Sequence, residues 1–396
     1  MPTLRICHLG KYYPPVPGGI ETHTRTLALA QAELGAKVRV FCVNKGSPHT
    51  LVEQDGPVEV TRFGRRISAA KIDICKDLPA RIRDVEADIL HMQVPNPTMI
   101  LALLRSKTDK PVVVSYQSDV IRQKFRAALF RPFERLAYRR VRAIIAASPS
   151  YMQGSHFLKR YSDRVDVLPM GINLQPYLNP SPSHLAKAKE IRAEHAMDGR
   201  LWLACGRQVY YKGFLNAIRA LMKVSGRLIL IGDGPVHGEL EAEVARLGLT
   251  DRAIFLGNLP HYLDLVPYYL AADAFWFPSN ERSEAFGLVQ VEAMASGCPV
   301  INANIPHSGV AWVSPHEESG LTVPVNDPAA LAEAAIRLVT EEGLRARLSL
   351  AAKSRAISEF DHRLMAERSL ELYQRVLAEI QQASHAAGRP VLIPGP

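Results

Sequence analysis

Short apolar segments alternate with helical stretches along the whole chain, and this alternation constrains the fold more than any other feature. In the first half, strand-like segments lie at residues 4–9, 38–43, 89–92, 112–115, 143–147 and 165–170. Parallel strands joined by crossover helices give this pattern, so the sequence predicts an α/β protein with a doubly wound sheet. After a proline-rich segment at residues 175–183, the same order of strand, glycine turn and helix begins again at Leu201. We therefore expect two Rossmann-like domains, residues 1–172 and 173–364.

The composition is that of a globular protein: the 396 residues are 47% apolar and 22% charged, and the length favours two domains. The five cysteines are scattered through apolar segments, which predicts reduced core residues rather than disulfides or a zinc site. No apolar run is long enough to span a bilayer, and the first residues show no signal-peptide pattern. We therefore expect a cytoplasmic protein.

The net charge of +9 is unevenly distributed. Residues 1–170 carry 27 basic and 15 acidic side chains, a net of +12, whereas the remainder carries a net of −3. An anionic surface or substrate is therefore expected at one half only. No zinc finger, aromatic RNA-binding motif or helix-turn-helix accompanies this charge, so nucleic acid is not an expected partner.

The most informative stretch is residues 283–301, SEAFGLVQVEAMASGCPVI. Glu284 precedes a Phe286-Gly287 turn, a helix is predicted to begin at Leu288, and Glu292 lies one turn inside it. The unpaired N–H groups of a helix N-terminus attract an anion such as a phosphate, and ionised carboxylates accept hydrogen bonds from sugar hydroxyls. The alternative is that Glu284 only stabilises its own helix dipole and that Glu292 is solvated.

Two further loops follow predicted strands, where ligands of open α/β sheets bind. Gly18 and Gly19 lie between the first strand and the first helix, and without a Cβ they allow close approach of the backbone to a ligand. Arg207 and Lys212 bracket the corresponding loop of the second half, where a planar guanidinium and a point charge would neutralise a diphosphate. Each loop alone is equally compatible with a plain turn.

These motifs, in this order, resemble the family 4 (group 1) retaining glycosyltransferases, which have the two-domain GT-B architecture with a cleft between the domains. The resemblance covers essentially the whole chain, and it implies that a helix near residues 365–385 crosses back to the N-terminal domain. It also implies where the donor binds. Glu284 would contact the donor sugar, the turn and helix start at 286–288 (Phe286, Gly287, Leu288) its hydroxyls or phosphate, and Glu292 the ribose.

The remaining roles follow by position in the same resemblance. Gly18 and Gly19 would face the donor phosphates, and Glu21 and Asp119 would lie on the acceptor side. Gln117 stands where related bacterial sequences often have a histidine beside the reacting sugar; glutamine can donate a hydrogen bond but carries no titrating proton. The resemblance assigns catalysis to four residues: Arg207, Lys212, Glu284 and Gln117.

The implied activity is transfer of a sugar from a nucleoside diphosphate donor, such as GDP-mannose or a UDP-sugar, to a glycan or lipid-linked hydroxyl with retention of configuration. No Asp-x-Asp motif occurs, so we expect the reaction to need neither a metal ion nor a cofactor. A nucleotide-sugar epimerase and a non-catalytic nucleotide-sugar-binding subunit remain alternatives. A dehydrogenase is disfavoured because neither glycine loop reads Gly-x-Gly-x-x-Gly.

Residues 122–142 contain eight basic side chains and one acid, interleaved with aromatic and aliphatic residues. A basic amphipathic segment of this kind is typical of a helix that lies on an anionic membrane surface, which would place the protein peripherally at the inner face of the membrane. An ordinary surface helix whose apolar stripe faces the sheet is the alternative. Pro132 predicts that the segment forms two helices rather than one.

Overall fold

The protein is described by a computed structural model that covers residues 3–69, 72–117 and 124–386. The strands are β1 Arg5–Leu9, β2 Lys37–Asn44, β3 Leu51–Asp55, β4 Val58–Gly64, β5 Ile67–Ala69, β6 Ile72–Ile74, β7 Ile89–Val94, β8 Val112–Tyr116, β9 Val141–Ala146, β10 Val165–Val167, β11 Leu201–Cys205, β12 Arg227–Ile231, β13 Ala253–Gly257, β14 Ala274–Phe277, β15 Val300–Ala303 and β16 Gly320–Val323.

The helices alternate with the strands, as the sequence predicts. They are α1 Gly19–Glu33, α2 Leu78–Asp84, α3 Pro97–Ser106, α4 Lys124–Tyr138, α5 Pro149–Gly154, α6 His156–Lys159, α7 Gln175–Leu178, α8 Pro182–His195, α9 Phe214–Leu221, α10 His237–Arg246, α11 Val266–Ala271, α12 Leu288–Ser296, α13 Val310–Val313, α14 Pro328–Thr340, α15 Leu344–Glu359 and α16 His362–Ala386.

The chain divides into two compact units. Unit 1 comprises residues 1–147, 156–171 and 362–396, and unit 2 comprises residues 148–155 and 172–361. The sequence analysis places the main boundary between residues 172 and 173 and does not anticipate that Ser148–Ser155 belongs with unit 2. Arg282 holds this segment through hydrogen bonds to the carbonyl oxygens of Tyr151 and Gly154.

Unit 1 contains a sheet in the order β10-β9-β8-β7-β1-β2-β4-β3, in which every pair is parallel except β3 with β4. A separate hairpin pairs β5 with β6. The C-terminal helix α16 packs on α1 within this unit, where the Gln31 side-chain amide donates to Ser369 Oγ at 2.8 Å and to Tyr373 Oη at 3.1 Å. The segment near residues 365–385 is therefore part of unit 1, as the resemblance implies.

Unit 2 contains a fully parallel sheet in the order β13-β12-β11-β14-β15-β16. Its central strands β11, β14 and β15 are buried along their whole length, as strands covered by helices on both faces must be. The prediction of two Rossmann-like parallel-sheet domains is confirmed.

Two details of the helices differ from the predictions. Alanine and leucine at helical spacing over residues 327–381 predict one long helical stretch, but the structure has three helices, α14, α15 and α16, because Gly343 at φ 73° and the non-helical residues Phe360 and Asp361 interrupt it. The prediction that Pro132 divides its segment was wrong, since α4 is a single helix with Pro132 inside it. Pro132 lies on an exposed face, where water can solvate the carbonyl group that loses its partner.

Among the described residues, no helix combines the length and apolarity needed to cross a membrane.

Candidate functional site

The candidate donor site of unit 2 is formed by the loops that follow β11, β12 and β14, three strands that end at the same edge of one parallel sheet. Backbone hydrogen bonds join these loops to one another. Gln208 N donates to Asp233 O at 2.9 Å, and Asn280 N donates to Tyr211 O at 2.9 Å. The fold thus brings together the loop of Arg207 and Lys212 and the loop that carries Glu284.

The central contact of the site is an ion pair between Lys212 Nζ and Glu284 Oε2 at 2.6 Å. Both side chains are largely buried, with 14% and 11% of their surface exposed, and the ammonium group also lies 4.9 Å from the centre of the Phe277 ring. Burial opposes the charged form of Lys212, but the neighbouring carboxylate outweighs burial and raises the lysine pKa. Ser279 Oγ donates a further hydrogen bond to Glu284 Oε2 at 3.3 Å. Lys212 and Glu284, which are expected to contact the diphosphate and the sugar of one donor, therefore contact each other.

Arg207 differs from Lys212 in being exposed. Within the described part of the chain, its guanidinium group makes no hydrogen bond or ion pair. Its position is nevertheless defined, because the next residue, Gln208, is buried and anchors the loop. An exposed guanidinium on an anchored loop is available to an incoming anion without first losing a partner.

Gln208 was missed by the sequence analysis, although it fixes the loop between the two cations. Its side-chain amide donates to Gly232 O at 2.7 Å, and its Oε1 accepts from His237 Nδ1 at 2.7 Å. These bonds connect the end of β11 to the end of β12 and the start of α10. No spacing in the sequence distinguishes this glutamine from a solvated one, because its partners are more than twenty residues away.

The helix predicted to begin at Leu288 is α12, and its N-terminus is formed by Gly287. Gly287 has φ 81°, and a Cβ there would lie 2.7 Å from the Phe277 ring, so both the backbone conformation and the packing favour glycine. No side chain of the described residues caps this N-terminus. Phe286 is buried against Phe360, with ring centres 5.6 Å apart, so only its backbone is placed to contact a ligand.

Glu292 is not the solvated helix residue that the alternative interpretation supposes. Tyr269 Oη donates to its Oε2 at 3.0 Å, and the same hydroxyl lies 3.4 Å from Cys205 Sγ. Part of the side chain reaches the surface, yet burial of the carboxyl group raises its pKa to about 7, and the Tyr269 hydrogen bond opposes this rise. Tyr269, which the sequence analysis also missed, therefore holds the carboxyl group in place.

The glycine loop of unit 1 is arranged differently. Gly18 precedes α1, and a Cβ on Gly18 would lie 2.0 Å from Oε2 of Glu21. The carboxylate of Glu21 thus folds back over the start of its own helix, and burial raises its pKa. Gly19 is the first residue of α1 and has open space around it. The contact of this loop with donor phosphates stays a prediction.

Gln117 is buried at the end of β8, where its side-chain amide donates to Gln93 Oε1 at 2.9 Å. It lines a small cavity of about 10 Å³ together with His23, Ser115 and Ser369, which is room for about one water molecule. His23 Nδ1 is buried and has no hydrogen-bond partner among the described residues, and burial lowers the His23 pKa to about 4. Asp119, expected on the acceptor side, lies outside the described residues.

No cluster of three or more His, Cys, Asp or Glu side chains that could hold a metal ion occurs in residues 3–69, 72–117 and 124–386. The five cysteines are all buried free thiols, as expected. The metal independence of the reaction stays a prediction.

Comparison with known proteins identifies the family. The Glycosyltransferase Family 4 profile matches residues 17–176, and the profile of the group 1 glycosyl transferases matches residues 187–355. The D-rhamnosyltransferase WbpZ of Pseudomonas aeruginosa is 31% identical over 334 residues, which are 84% of this chain and 85% of that protein. The chain belongs to the family 4, group 1 glycosyltransferases. This glycosyltransferase is also 28% identical to the O-antigen chain mannosyltransferase C of Escherichia coli, over 94% of this chain and 99% of that one.

Solved structures show the same fold at lower identity. Sucrose-phosphate synthase from Thermosynechococcus elongatus matches with a TM-score of 0.78 at 22% identity, over 95% of this glycosyltransferase and all of that chain. HepE of Anabaena, solved in complex with UDP, matches with a TM-score of 0.72 at 21% identity, over 94% of this chain and 100% of that one. The GT-B fold predicted from the sequence is therefore confirmed.

The raised pKa of Glu292 predicts a pH-dependent stability. The folded protein holds this proton more tightly than the unfolded chain, in which the pKa is near 4.5. The contribution of this group to the free energy of unfolding is therefore fully present below pH 4.5 and is lost as the pH rises through about 7. We expect Glu292→Gln, which cannot ionise, to stabilise the protein relative to wild type at pH 8.5 by about 1 to 2 kcal/mol, after allowance for solvent screening, and to have little effect at pH 4.5.

Urea unfolding of the two proteins at both pH values measures this difference. Tyr269→Phe is the matched variant: it removes the hydrogen bond that favours the charged carboxylate, so the loss of stability should become larger and continue to higher pH. A stability difference between wild type and Glu292→Gln that is the same at both pH values would contradict the assignment.

Proposed function

We propose that this glycosyltransferase moves a hexose from a nucleoside diphosphate donor to a hydroxyl of a glycan or lipid-linked acceptor, with retention of configuration and without a metal ion. The observation that carries the proposal is the buried Lys212–Glu284 pair, with Arg207 exposed on the same loop and the uncapped N-terminus of α12 three residues after Glu284. This arrangement supplies positive charge for a diphosphate and a carboxylate for sugar hydroxyls.

The names of the relatives support the substrate class. Two relatives are a rhamnosyltransferase and an O-antigen mannosyltransferase, and HepE has been solved with UDP and with UDP-glucose. A donor made of a hexose or 6-deoxyhexose joined to guanosine diphosphate or uridine diphosphate is consistent with all three of these proteins. The O-antigen relative favours a growing polysaccharide as acceptor, and GDP-mannose is the first donor to test.

The proposed mechanism is electrostatic. As the bond to the sugar breaks, negative charge grows on the departing diphosphate, and Arg207, Lys212 and the N-terminus of α12 stabilise it. In the free enzyme, Glu284 balances the charge of Lys212. When the diphosphate takes over that role, the Glu284 carboxylate becomes available to accept hydrogen bonds from the sugar. Glu292 would bind the ribose in the same donor complex.

Retention would follow if the acceptor hydroxyl attacks from the face that the diphosphate leaves. A phosphate oxygen of the leaving group would then take the acceptor proton, so that no protein side chain has to act as general base. On the acceptor side we propose Glu21 as a hydrogen-bond acceptor and Gln117 as a positioning residue, because its amide is already directed by Gln93.

The reaction itself is tested by incubating the enzyme with GDP-mannose and UDP-sugars and a panel of hydroxyl acceptors in the presence of a chelator. We expect a product whose anomeric configuration, read by NMR, equals that of the donor, and an unchanged rate with the chelator because cationic side chains replace the ion. Activity that chelator abolishes and magnesium or manganese restores would contradict metal independence, and an inverted product would contradict retention. An altered sugar released without acceptor would indicate an epimerase.

The role of Arg207 is best tested by removal of its side chain. Because the group is exposed and unpaired in the described structure, Arg207→Ala should preserve the fold and lower kcat by roughly two to three powers of ten, the scale of losing one preorganised donor. Lys223→Ala is the matched control, since Lys223 is exposed and follows the C-terminal end of α9, at the opposite edge of the sheet. An Arg207→Ala enzyme with the kcat of the control would refute the assignment.

We further propose that α4 docks this enzyme on an anionic bilayer, at the cytoplasmic face of the membrane. Phe133 and Leu136 are 46% and 50% exposed, whereas Ala137 and Tyr138 on another face of the helix are buried. Arg131, Arg135 and Arg139 are exposed, and their four-residue spacing places them on one side of the helix, beside the two apolar side chains. The helix thus packs on its unit through one face and presents a second apolar face among cations, which complements anionic lipid.

Cosedimentation with vesicles tests this docking surface. Phe133→Ser with Leu136→Ser should weaken binding to vesicles that contain phosphatidylglycerol by about tenfold or more, since each substitution removes membrane-buried apolar area. Salt should weaken the binding of wild type, because exposed charges are screened over about 10 Å. The control is Leu350→Ser with Ile357→Ser on α15, which are 74% and 52% exposed but lie in unit 2. Equal loss in both double variants would contradict a specific role for α4.

A further inference from the structure

Gln290 is a buried polar residue of α12 for which the proposed mechanism gives no role. It is the third residue of this nine-residue helix, and its side chain is fully buried, whereas Leu288 and Val289 before it are half-buried. A buried side-chain amide is costly unless its donor and acceptor groups both find partners. The hydrogen bonds of Gln290 therefore show what keeps an amide at this place in the fold.

The Gln290 amide links the loop before α12 to β15. Its Nε2 donates to Phe286 O at 3.0 Å and more weakly to Val310 O at 3.4 Å. Its Oε1 accepts from Asn302 Nδ2 at 3.1 Å, and the same nitrogen donates to Ser314 O at 2.9 Å. Because a backbone carbonyl can only accept, the Ser314 carbonyl fixes the position of the Asn302 NH2 group. Gln290 must therefore turn its oxygen toward Asn302 and its nitrogen toward Phe286.

Packing alone does not account for Asn302 and Gln290, here called the amide pair. Asn302 Oδ1 is buried and has no hydrogen-bond partner in the described part of the chain, which is a cost to the stability of the fold. Two apolar side chains of similar volume would fill the same space without that cost. The amide pair is therefore better explained by its effect on the Phe286 carbonyl.

The amide pair selects one orientation of the peptide group between Phe286 and Gly287. This peptide is trans, so its carbonyl and its N–H group point in opposite directions. With the Phe286 carbonyl directed at Gln290, the Gly287 N–H is directed away from it. Glycine accepts positive and negative φ almost equally, so the backbone itself does not prevent the peptide from turning over. The orientation observed, with φ 81° at Gly287, therefore depends on the side-chain contact.

Gly287 lies in the candidate donor site. A Cβ on Gly287 would be 2.7 Å from the Phe277 ring, and Lys212 Nζ lies 4.9 Å from the centre of the same ring. Among the described residues, Gly287 N donates no hydrogen bond. A backbone N–H group that is not already engaged, near a buried cation, suits an anionic oxygen.

Other donors hold the rest of this loop. Ser308 Oγ donates to Glu284 O, and Gly309 N donates to Ala285 O at 2.9 Å. Neither bond involves the amide pair, so the loop keeps its path when the amide pair is removed. Loss of the amide pair then frees one peptide group rather than the whole loop. A peptide that turns over presents the negative end of the Phe286 carbonyl where the N–H group was.

We propose that Gln290, oriented by Asn302, is a positioning residue that aims the Gly287 N–H at an oxygen of the phosphoryl group that carries the donor sugar. The inference rests on the proposed function and deepens it, because it names the residues that set the direction of one diphosphate contact. Negative charge grows on the diphosphate as the sugar leaves, so a correctly aimed N–H stabilises the transition state more than the bound substrate. A turned peptide loses this donor and adds a carbonyl dipole that repels the anion.

Kinetics and nucleotide binding of Gln290→Leu test the role of the amide. We expect kcat to fall by roughly tenfold to a hundredfold, below the full effect of removing one preorganised donor, because the freed peptide still visits the productive orientation. The affinity for GDP or UDP, whichever wild type binds, should fall about tenfold, whereas the corresponding nucleoside monophosphate, which lacks the second phosphoryl group, should bind equally well. A general disturbance of α12 would weaken both nucleotides, since Glu292 on the same helix is the proposed ribose contact.

Two further variants separate positioning from folding. Met294→Leu alters the buried face of the same helix without touching an amide and should keep kcat. Asn302→Ser should lower kcat in wild type but have no further effect in the Gln290→Leu background, because it acts through Gln290. If Gln290→Leu does not fold, Asn302→Ser, which keeps Gln290, decides alone: an unchanged kcat would contradict the proposal. Additive losses in the double variant, or a loss that Met294→Leu shares, would also overturn it.

NMR reports the state of the Gly287 N–H group itself. The chain contains two Phe-Gly pairs, Phe63-Gly64 and Phe286-Gly287, so protein isotope-labelled at the phenylalanine carbonyl carbon and at the glycine nitrogen gives two selected amide signals. Gly64 N already donates a hydrogen bond within unit 1 and is the internal control. Saturation with GDP or UDP should move the Gly287 signal downfield in wild type and much less in Gln290→Leu, while the Gly64 signal stays in place.

The two measurements distinguish failure of this inference from failure of the proposed function. A wild-type enzyme that transfers sugar while its Gly287 signal does not respond to the diphosphate would refute the inference and leave the function standing. A wild-type protein that binds no nucleoside diphosphate and transfers no sugar would refute the proposed function, and the inference with it. A response of Gly287 in wild type together with the loss of kcat in Gln290→Leu would support both.

Discussion

The ion pair between Lys212 and Glu284 is the contact on which the candidate donor site depends. The two residues come from loops after β11 and β14, and they meet at 2.6 Å with little exposure to water. Removing either partner would leave the other as an unpaired buried charge, which is much more costly than losing an exposed pair. The pair therefore fixes two loops at once, and it keeps the exposed Arg207 and the N-terminus of α12 at defined positions without occupying either of them.

The two units use similar strand-end loops in opposite ways. In unit 2, α12 begins at Gly287 without a side-chain cap, so its N–H groups and the positive end of its dipole remain available to an anion. In unit 1, Glu21 lies over the start of α1, so its carboxylate already interacts with that helix N-terminus. An anion bound by unit 1 would therefore have to be held by side chains.

The sequence predicted six strands of the sheet of unit 1, because periodicity and glycine turns are local properties, but it did not predict β3, β4 or the β5-β6 hairpin. The strand that begins at Leu201 and the start of α12 lie where the pattern places them. The same local reasoning failed at Pro132, since the penalty for a proline in a helix depends on whether water reaches the released carbonyl. Local reasoning also predicted α14, α15 and α16 as one helical stretch, because alanine and leucine at helical spacing continue across the short breaks between these helices.

The candidate site residues could be named from the sequence, but their relations to one another could not. Spacing identified Lys212 and Glu284 separately, and only the fold shows that they neutralise each other. The sequence analysis missed Gln208 and Tyr269 because each acts through a partner that is distant in the chain. These partners are the Gly232 carbonyl group and the Glu292 carboxyl group. The burial of side chains could not be predicted from the sequence either. Burial raises the pKa of Glu292 to about 7, so this carboxyl group does not titrate as a surface acid.

Burial also decides which groups can make this enzyme sensitive to pH. Gln117 has no titrating proton, and the neighbouring His23, with a pKa lowered to about 4, stays neutral at physiological pH. Histidine therefore contributes no charge change to the cavity beside Gln117. Glu292, in the other unit, has the pKa of about 7 that a response near neutrality requires. If ionised Glu292 binds the ribose and Gln117 lies beside the acceptor, pH changes near neutrality act through donor binding, because Gln117 has no titrating proton.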